Sequence, residues 1–183
     1  MADIAAQTKT PIDLHVEAVI TRQPVPKALA SRSPNNPATI QPTISGLEKL
    51  LAHNRNATIV WQHIGWDNTG HLNVKLLRGL LTRHPNLFLA LKHVDPKFES
   101  FQLDNRIVDP DGAIRPDWLK LFNDFPDRFV VGADEFVIPP GGRGPPPSFS
   151  STWKNVAKLP PVIREKISHS NAERIYNLAR TRA

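Results

Sequence analysis

Four short apolar runs, each followed by a helix signal, constrain the fold of this 183-residue chain more than any other feature. The runs lie at 12–19, 58–63, 87–91 and 129–131, and their content of Ile, Val, Leu and Phe is typical of strands buried on both faces. Leucines then recur at helical spacing between 72 and 81, and Pro116 opens another amphipathic segment that Pro126 ends. Strands that alternate with helices predict an α/β fold with a parallel sheet.

Proline marks where the regular structure stops. The chain contains 18 prolines, and they concentrate at 24–42 and at 139–161. Proline lacks the N–H that helices and sheets require, so these clusters predict long surface loops at 22–42 and 139–147. Neither loop separates a segment large enough for a second core, so we expect one domain over 1–183.

Two architectures accommodate about four parallel βα units. One is a small, open, doubly wound sheet, but no strand is followed by a glycine-rich phosphate turn of the G-x-G-x-x-G or P-loop type. The other is a TIM-type (β/α)8 barrel, whose usual length of about 250 residues would make this chain half of one. The sequence therefore predicts half of a TIM-type barrel with long proline-rich loops.

Composition excludes several classes of function. The net charge of +6 is dispersed, with no basic run and no RNA-binding or zinc-finger motif, so we expect no nucleic-acid partner. The absence of cysteine excludes disulfides, thiolate catalysis and cysteine-bound zinc. No apolar run approaches the roughly 18 residues of a membrane helix, so we expect no membrane partner and, by default, a cytoplasmic location.

Polar residues follow the predicted strands at the edge where chemistry gathers in parallel α/β folds. The first strand carries His15 and Glu17, the second ends in His63, the third runs into Lys92, and Asp134 follows the fourth. Imidazole nitrogens and a carboxylate are ligands that suit Zn, Mn or Fe. The pattern predicts a divalent metal site at this edge.

Each of these residues also has a structural interpretation. A histidine inside an apolar strand is often a hydrogen-bonded core residue, and Asp134 after Gly132 could simply cap a turn. Glu17 shares a strand face with His15 and could face substrate or support a ligand. Trp61 alternates with His63 in the same way, and an aromatic there, or at Trp66 in the following loop, could wall a pocket or fill core.

Several longer stretches resemble a known family. The segments are IVWQHIG at 59–65, HPNLFLALK at 84–92, PDWLKLFNDFPDRFVVGADEF at 116–136 and IREKISHSNAERIYNL at 163–178. Together they resemble the carboxyl-terminal half of the amidohydrolase superfamily, in its amidohydrolase-related branch. The resemblance covers about 11–180, and we expect 1–10 to be a flexible terminus.

The resemblance implies roles for individual residues. Asp134 matches an aspartate that binds metal or acts as general base on water, His15 matches a metal ligand, and His63 matches either a ligand or a substrate partner. Asp134 and His63 are thus the expected catalytic residues. The expected metal ligands are His15, His63 and Asp134, with zinc as the first candidate and Mn or Fe as alternatives. Apart from the resemblance, the positions of Glu17, Trp66 and Lys92 near the strand ends lead us to expect that they bind substrate.

The function that the resemblance implies is metal-dependent hydrolysis of a C–N or C–O bond, or decarboxylation, in a small organic substrate. The family's H-x-H pair does not occur in this sequence, so the chain is expected to be incomplete, through a truncated gene, a misplaced start or a split subunit. Any signal peptide could have been lost with the other half. The alternative is a non-catalytic remnant or small-molecule binding module that keeps the fold.

A half-barrel would expose its inner surface. We therefore expect inward apolar residues such as Leu14, Val60 and Phe88 to be uncovered in the isolated chain. Such a surface predicts association, either as a homo-oligomer or with an amino-terminal half.

Overall fold

The computed structural model describes residues 1–26, 35, 37–93, 105–135, 139–141 and 149–178. The strands, in chain order, are β1 (Ile12–Leu14), β2 (Gln23–Pro24), β3 (Thr39–Ile40), β4 (Ile59–Ile64), β5 (Leu87–Leu91) and β6 (Phe129–Val131). The helices are α1 (Ala2–Thr8), α2 (Ile44–His53), α3 (Val74–Arg83), α4 (Pro116–Asp124), α5 (Phe149–Val156), α6 (Pro161–Glu165) and α7 (Asn171–Ile175), and a π-helical turn (Lys166–Ser170) joins the last two.

The main sheet has the strand order β1-β4-β5-β6, and all of its pairs are parallel. Ile12 pairs with Ile59, Ile59 with Leu87, and Leu89 with Phe129, so the four strands start close to level with one another. The prediction of an α/β fold with four parallel strands is confirmed. In the described part of the chain the sheet is open, with β1 and β6 at its edges.

One face of the sheet packs against helices. Alternate strand residues such as Trp61, Leu89 and Phe129 share a core with α2, α3, α4, α5 and α6. Each helix presents apolar residues at helical spacing, for example Leu77 and Leu81 of α3, because one stripe of an amphipathic helix must be buried. The larger core therefore lies between this face of the sheet and the helices.

The opposite face carries a smaller core, which corrects the expectation of a bare inner surface. Val60 and Phe88 are buried there with Ala90 and Val130, and Ile175 of α7 covers them together with Ala172 and Tyr176. The arginine side chains of 128 and 174 also stack on the ring of Phe88. Leu14, expected on this face, instead packs against the helix-side core.

The chain after β1 leaves the sheet earlier than the sequence predicts. The predicted strand 12–19 ends at Leu14, because beyond it side chains satisfy the backbone. Thr43 accepts a hydrogen bond from the amide of Val19 at 3.0 Å and donates to the carbonyl of Glu17, and Trp61 donates to the carbonyl of Val16 at 2.9 Å. This irregular segment is therefore fixed by polar contacts rather than by strand pairing.

The predicted loop 22–42 contains β2 and β3, which pair antiparallel with Gln23 opposite Ile40. Each strand has only two residues, which is too short to produce a recognisable apolar pattern in the sequence. Proline is tolerated in an edge strand such as the one that contains Pro24. Most of the predicted loop 139–147 lies outside the described residues.

The amino-terminal residues are helical. They form α1, in which Ala2 and Ala5 are buried, and Asp3 accepts a hydrogen bond from Asn54 at 2.8 Å. No helix in the described residues is long and apolar enough to cross a membrane.

Ile175 tests the cover on the inner face. Ile175→Ala removes a buried side chain from the small core, and we expect the free energy of unfolding in urea to fall by about 2–4 kcal/mol. Val162→Ala is the matched control, because Val162 is exposed and should change stability by less than about 0.5 kcal/mol. Equal behaviour of the two variants would show that α7 does not cover this face.

Candidate active site

Every residue that the sequence predicts for the site lines one cavity of about 1010 Å3 at the carboxyl ends of the sheet strands. His15 follows β1, His63 lies near the end of β4, Lys92 follows β5, and Asp134 comes three residues after β6. Parallel strands end at a common edge, so residues distant in sequence meet there. The remaining two predicted residues, Glu17 and Trp66, line the same cavity.

A bulge in β4 turns His63 into the cavity. The register between β4 and β5 shifts between Trp61 and Ile64, and His63 has φ of 67°, in the left-handed region. Side chains alternate along a regular strand, so without the bulge His63 would share the face of Trp61, which is buried in the helix-side core. Of the two interpretations of Trp61, core packing is therefore the observed one.

Gly65 permits the tight turn that follows. Its φ is 101°, a conformation that residues with a Cβ rarely adopt, and a Cβ there would lie 2.6 Å from Cδ1 of Ile107. The turn keeps the chain against the end of β5, where the amide of Lys92 donates to the carbonyl of Ile64 at 2.9 Å. The backbone thus places His63 and Lys92 side by side.

The centre of the cavity is an ion pair with a histidine against it. The Lys92 ammonium donates to Oδ2 of Asp134 at 2.7 Å, and Nε2 of His63 lies 3.1 Å from the same oxygen. The Lys92 side chain is only 5% exposed, and its Nζ lies 4.4 Å from the centre of the Trp66 ring. An ammonium this buried needs a counter-charge, and Asp134 supplies it.

His63 is a neutral imidazole at pH 7. Burial lowers its pKa to about 4, the positive charges of Lys92 and His15 act in the same direction, and Asp134 opposes them. A neutral ring has one nitrogen that accepts a hydrogen bond and one that donates. His63 can therefore hold a polar group or a water beside Asp134.

A second cluster of polar side chains lies on the β1 side of the cavity. The His15 ring meets the His63 ring edge to face at 4.2 Å between centroids, and Nε2 of His15 lies 3.9 Å from Oε1 of Glu17. That oxygen accepts a hydrogen bond from Asn68 at 2.8 Å, and the indole of Trp66 donates to Asn68 at 2.9 Å. Glu17 and Trp66 are thus tied to each other through Asn68.

The floor of the cavity contains polar residues that the sequence analysis does not predict, namely Asp13 and Gln62, which Tyr176 contacts. The Tyr176 hydroxyl donates to Oδ1 of Asp13 at 2.8 Å and also bonds Gln62, and both partners line the cavity. Burial and the Asp13 carboxylate raise the pKa of Tyr176, which keeps it a neutral donor. Asp13 could have been found, because it shares a strand face with His15 and Glu17. Tyr176 could not, since no local pattern predicts that α7 reaches this face.

Comparison with known families shows to which family the chain belongs. A family model described as Amidohydrolase matches residues 1–178. The chain belongs to the amidohydrolase family. The match begins before the resembling segments and includes α1. No significant match was found among curated proteins or among solved structures.

Membership in the amidohydrolase family supports a hydrolase-type function, and the family is generally metal-dependent. The described residues do not form a complete metal centre. Within the described residues no group of three or more His, Asp or Glu side chains is arranged to hold an ion. The carboxylate oxygen expected to ligate metal, Oδ2 of Asp134, is instead in contact with the Lys92 ammonium and with His63. We therefore assign no reaction step to a metal ion.

Gly132 tests how closely the strands must approach beneath the amidohydrolase cavity. A Cβ on Gly132 would lie 2.5 Å from the Cβ of Ala90 and 2.9 Å from Oε1 of Gln62. Gly132→Ala should lower the free energy of unfolding by about 1–3 kcal/mol, because β5 and β6 would have to separate. Chemical denaturation measures the change.

Gly46→Ala is the control for that substitution. Gly46 lies in α2 with nothing within 4 Å of the added Cβ, so alanine should leave stability unchanged or raise it by up to about 1 kcal/mol. If Gly132→Ala is as well tolerated as Gly46→Ala, the described packing beneath Asp134 is wrong.

Proposed function

We propose that this chain hydrolyses a C–N or C–O bond in a small organic substrate held in the cavity at the carboxyl ends of the sheet. The observation that carries the proposal is the Asp134 carboxylate, which two neighbouring side chains hold in a fixed place at the cavity wall. Family membership supports the reaction class. The cavity supplies the space, since small-molecule sites usually measure about 300–1,000 Å3.

Asp134 is proposed as the proton acceptor. The water oxygen forms a bond to the substrate carbon, the C–N or C–O bond breaks, and the water proton passes through the carboxylate to the leaving group. His63, held beside Asp134 as a neutral ring, orients the water or the reacting group. Both roles agree with those that the family resemblance implies for these two residues.

Lys92 is proposed to stabilise negative charge on the substrate. Its ammonium has three N–H groups, and Asp134 is the acceptor recorded for it among the described residues. A second N–H can donate to a carbonyl oxygen, which becomes more negative as water adds to the carbon. An ester or amide whose carbonyl oxygen accepts from Lys92 would have its carbon close to Asp134.

The other polar residues are proposed to select the substrate. Glu17 and Trp66 form one wall through Asn68, and Asp13 with Gln62 forms the floor. Hydrogen-bonding groups at both positions favour a substrate that is polar at each end. The proposed steps do not use zinc, manganese or iron, because Oδ2 of Asp134 is in contact with Lys92 and His63.

Asp134→Asn tests the proposal. The amide keeps the shape of the side chain but cannot accept the proton, so hydrolysis of a panel of 4-nitrophenyl esters and 4-nitroanilides should fall by about 100-fold or more. Release of the nitrophenol or nitroaniline is followed by absorbance. Circular dichroism of the variant should match that of the parent chain.

Asp127→Asn is the matched control, since Asp127 forms an exposed ion pair with Lys166 away from the cavity lining. Its turnover should equal that of the parent chain. A parent chain without activity on any member of the panel that still binds a panel compound would favour the alternative of a binding module. Equal turnover in the Asp134 variant would remove Asp134 from its proposed role.

A further inference from the structure

We propose that the Lys92 ammonium takes the place of a divalent metal ion beside Asp134, so that this member of the family carries its own fixed positive charge. The inference rests on the contacts of Lys92 and on family membership, and it does not depend on which bond is cleaved. It concerns the disagreement between a family that generally uses metal and a cavity whose central carboxylate is already paired.

The first step is the position of the charge. A metal ligated by Asp134 and His63 would lie about 2.0–2.2 Å from each ligand atom. Nζ of Lys92 is 2.7 Å from Oδ2 of Asp134, and Nε2 of His63 is 3.1 Å from that oxygen. An ion bound there would therefore lie within a few ångströms of an ammonium, and the two positive charges would repel each other at short range.

The second step is that Lys92 cannot easily move away. Its backbone amide donates to the carbonyl of Ile64. The carbonyl of the preceding residue, Leu91, accepts at 2.9 Å from Gly132, which directly follows β6. The side chain is 5% exposed and lies against the ring of Trp66. Binding of a metal would have to break the ion pair and leave the buried ammonium without its counter-charge.

The third step concerns what removal of the ammonium would leave. Oδ2 of Asp134 would keep His63 as its neighbour, and the His15 ring lies against the His63 ring. Carboxylate and imidazole are zinc-binding groups, and in the described structure they do not yet form a site for an ion. Removing only the charge of Lys92 should therefore raise the affinity of Asp134 and its neighbours for zinc.

The test is titration of the full chain with zinc chloride, followed by calorimetry and by metal analysis after dialysis. The parent chain should retain well under one zinc per chain at Asp134. Lys92→Met should bind zinc at least about tenfold more tightly, equivalent to about 1.4 kcal/mol, because methionine keeps the length of the side chain without its charge. Adding Asp134→Asn to the Lys92→Met variant should abolish the gain.

Lys92→Arg is the conservative control, since it keeps the positive charge and should keep zinc affinity at the parent level. Lys154→Met is the surface control, because Lys154 is exposed on α5 and should leave binding unchanged. Circular dichroism confirms that each variant is folded.

Two results would overturn the proposal. One is tight binding of one zinc by the parent chain that Asp134→Asn removes, which would mean that Lys92 yields its place to metal. The other is a Lys92→Met variant that folds and binds zinc no better than the parent chain. Neither result depends on turnover, so failure of this proposal and failure of the proposed hydrolysis are distinguishable.

Discussion

The ion pair between the buried Lys92 ammonium and the partly exposed Asp134 carboxylate is the interaction on which the rest of the site depends. An ammonium that is almost fully enclosed is tolerated only with a counter-charge, and the nearest carboxylate follows the neighbouring strand β6. The pair therefore holds the segment after β6 against the end of β5. It also fixes the oxygen beside which His63 lies. Burial lowers the pKa of His63, and the charge of Lys92 adds to that effect while Asp134 opposes it.

Backbone geometry makes this pair possible. His63 and Asp134 both have positive φ, at 67° and 51°, which costs energy for residues with a Cβ and is tolerated where the surroundings impose it. The bulge in β4 turns the His63 side chain into the cavity. Gly132, two residues before Asp134, has no Cβ and so lets the chain pass close to Ala90 of β5. Beneath them α7 buries Val60 and Phe88, so the inner face forms a floor rather than an exposed surface. The strained backbone at His63 and Asp134 and the packing of α7 on the inner face together shape the cavity.

The sequence predicts the parallel sheet and the six cavity residues because both follow from local patterns. Apolar runs predict β4, β5 and β6 closely, and the rule that strand ends meet brings His15, His63, Lys92 and Asp134 together. The missed features depend on contacts between distant segments. Tyr176 reaches Asp13 from 163 residues away, and Thr43 binds the backbone of Glu17 and Val19, where the sequence predicts that the first strand continues. The contact between Lys92 and Asp134 is also not predicted, because local patterns do not show which side chains at the strand ends touch. The sequence suggests substrate binding for Lys92 and metal binding for Asp134.

A double-mutant cycle measures the central ion pair most directly. The free energies of unfolding of the parent chain, Lys92→Met, Asp134→Asn and the double variant would be compared in urea. If the pair organises the site, each single variant leaves a group without its partner, and the two effects should couple by about 1–3 kcal/mol. Effects that add within about 0.3–0.5 kcal/mol would contradict the account, because they would mean that Lys92 and Asp134 do not interact in the folded chain.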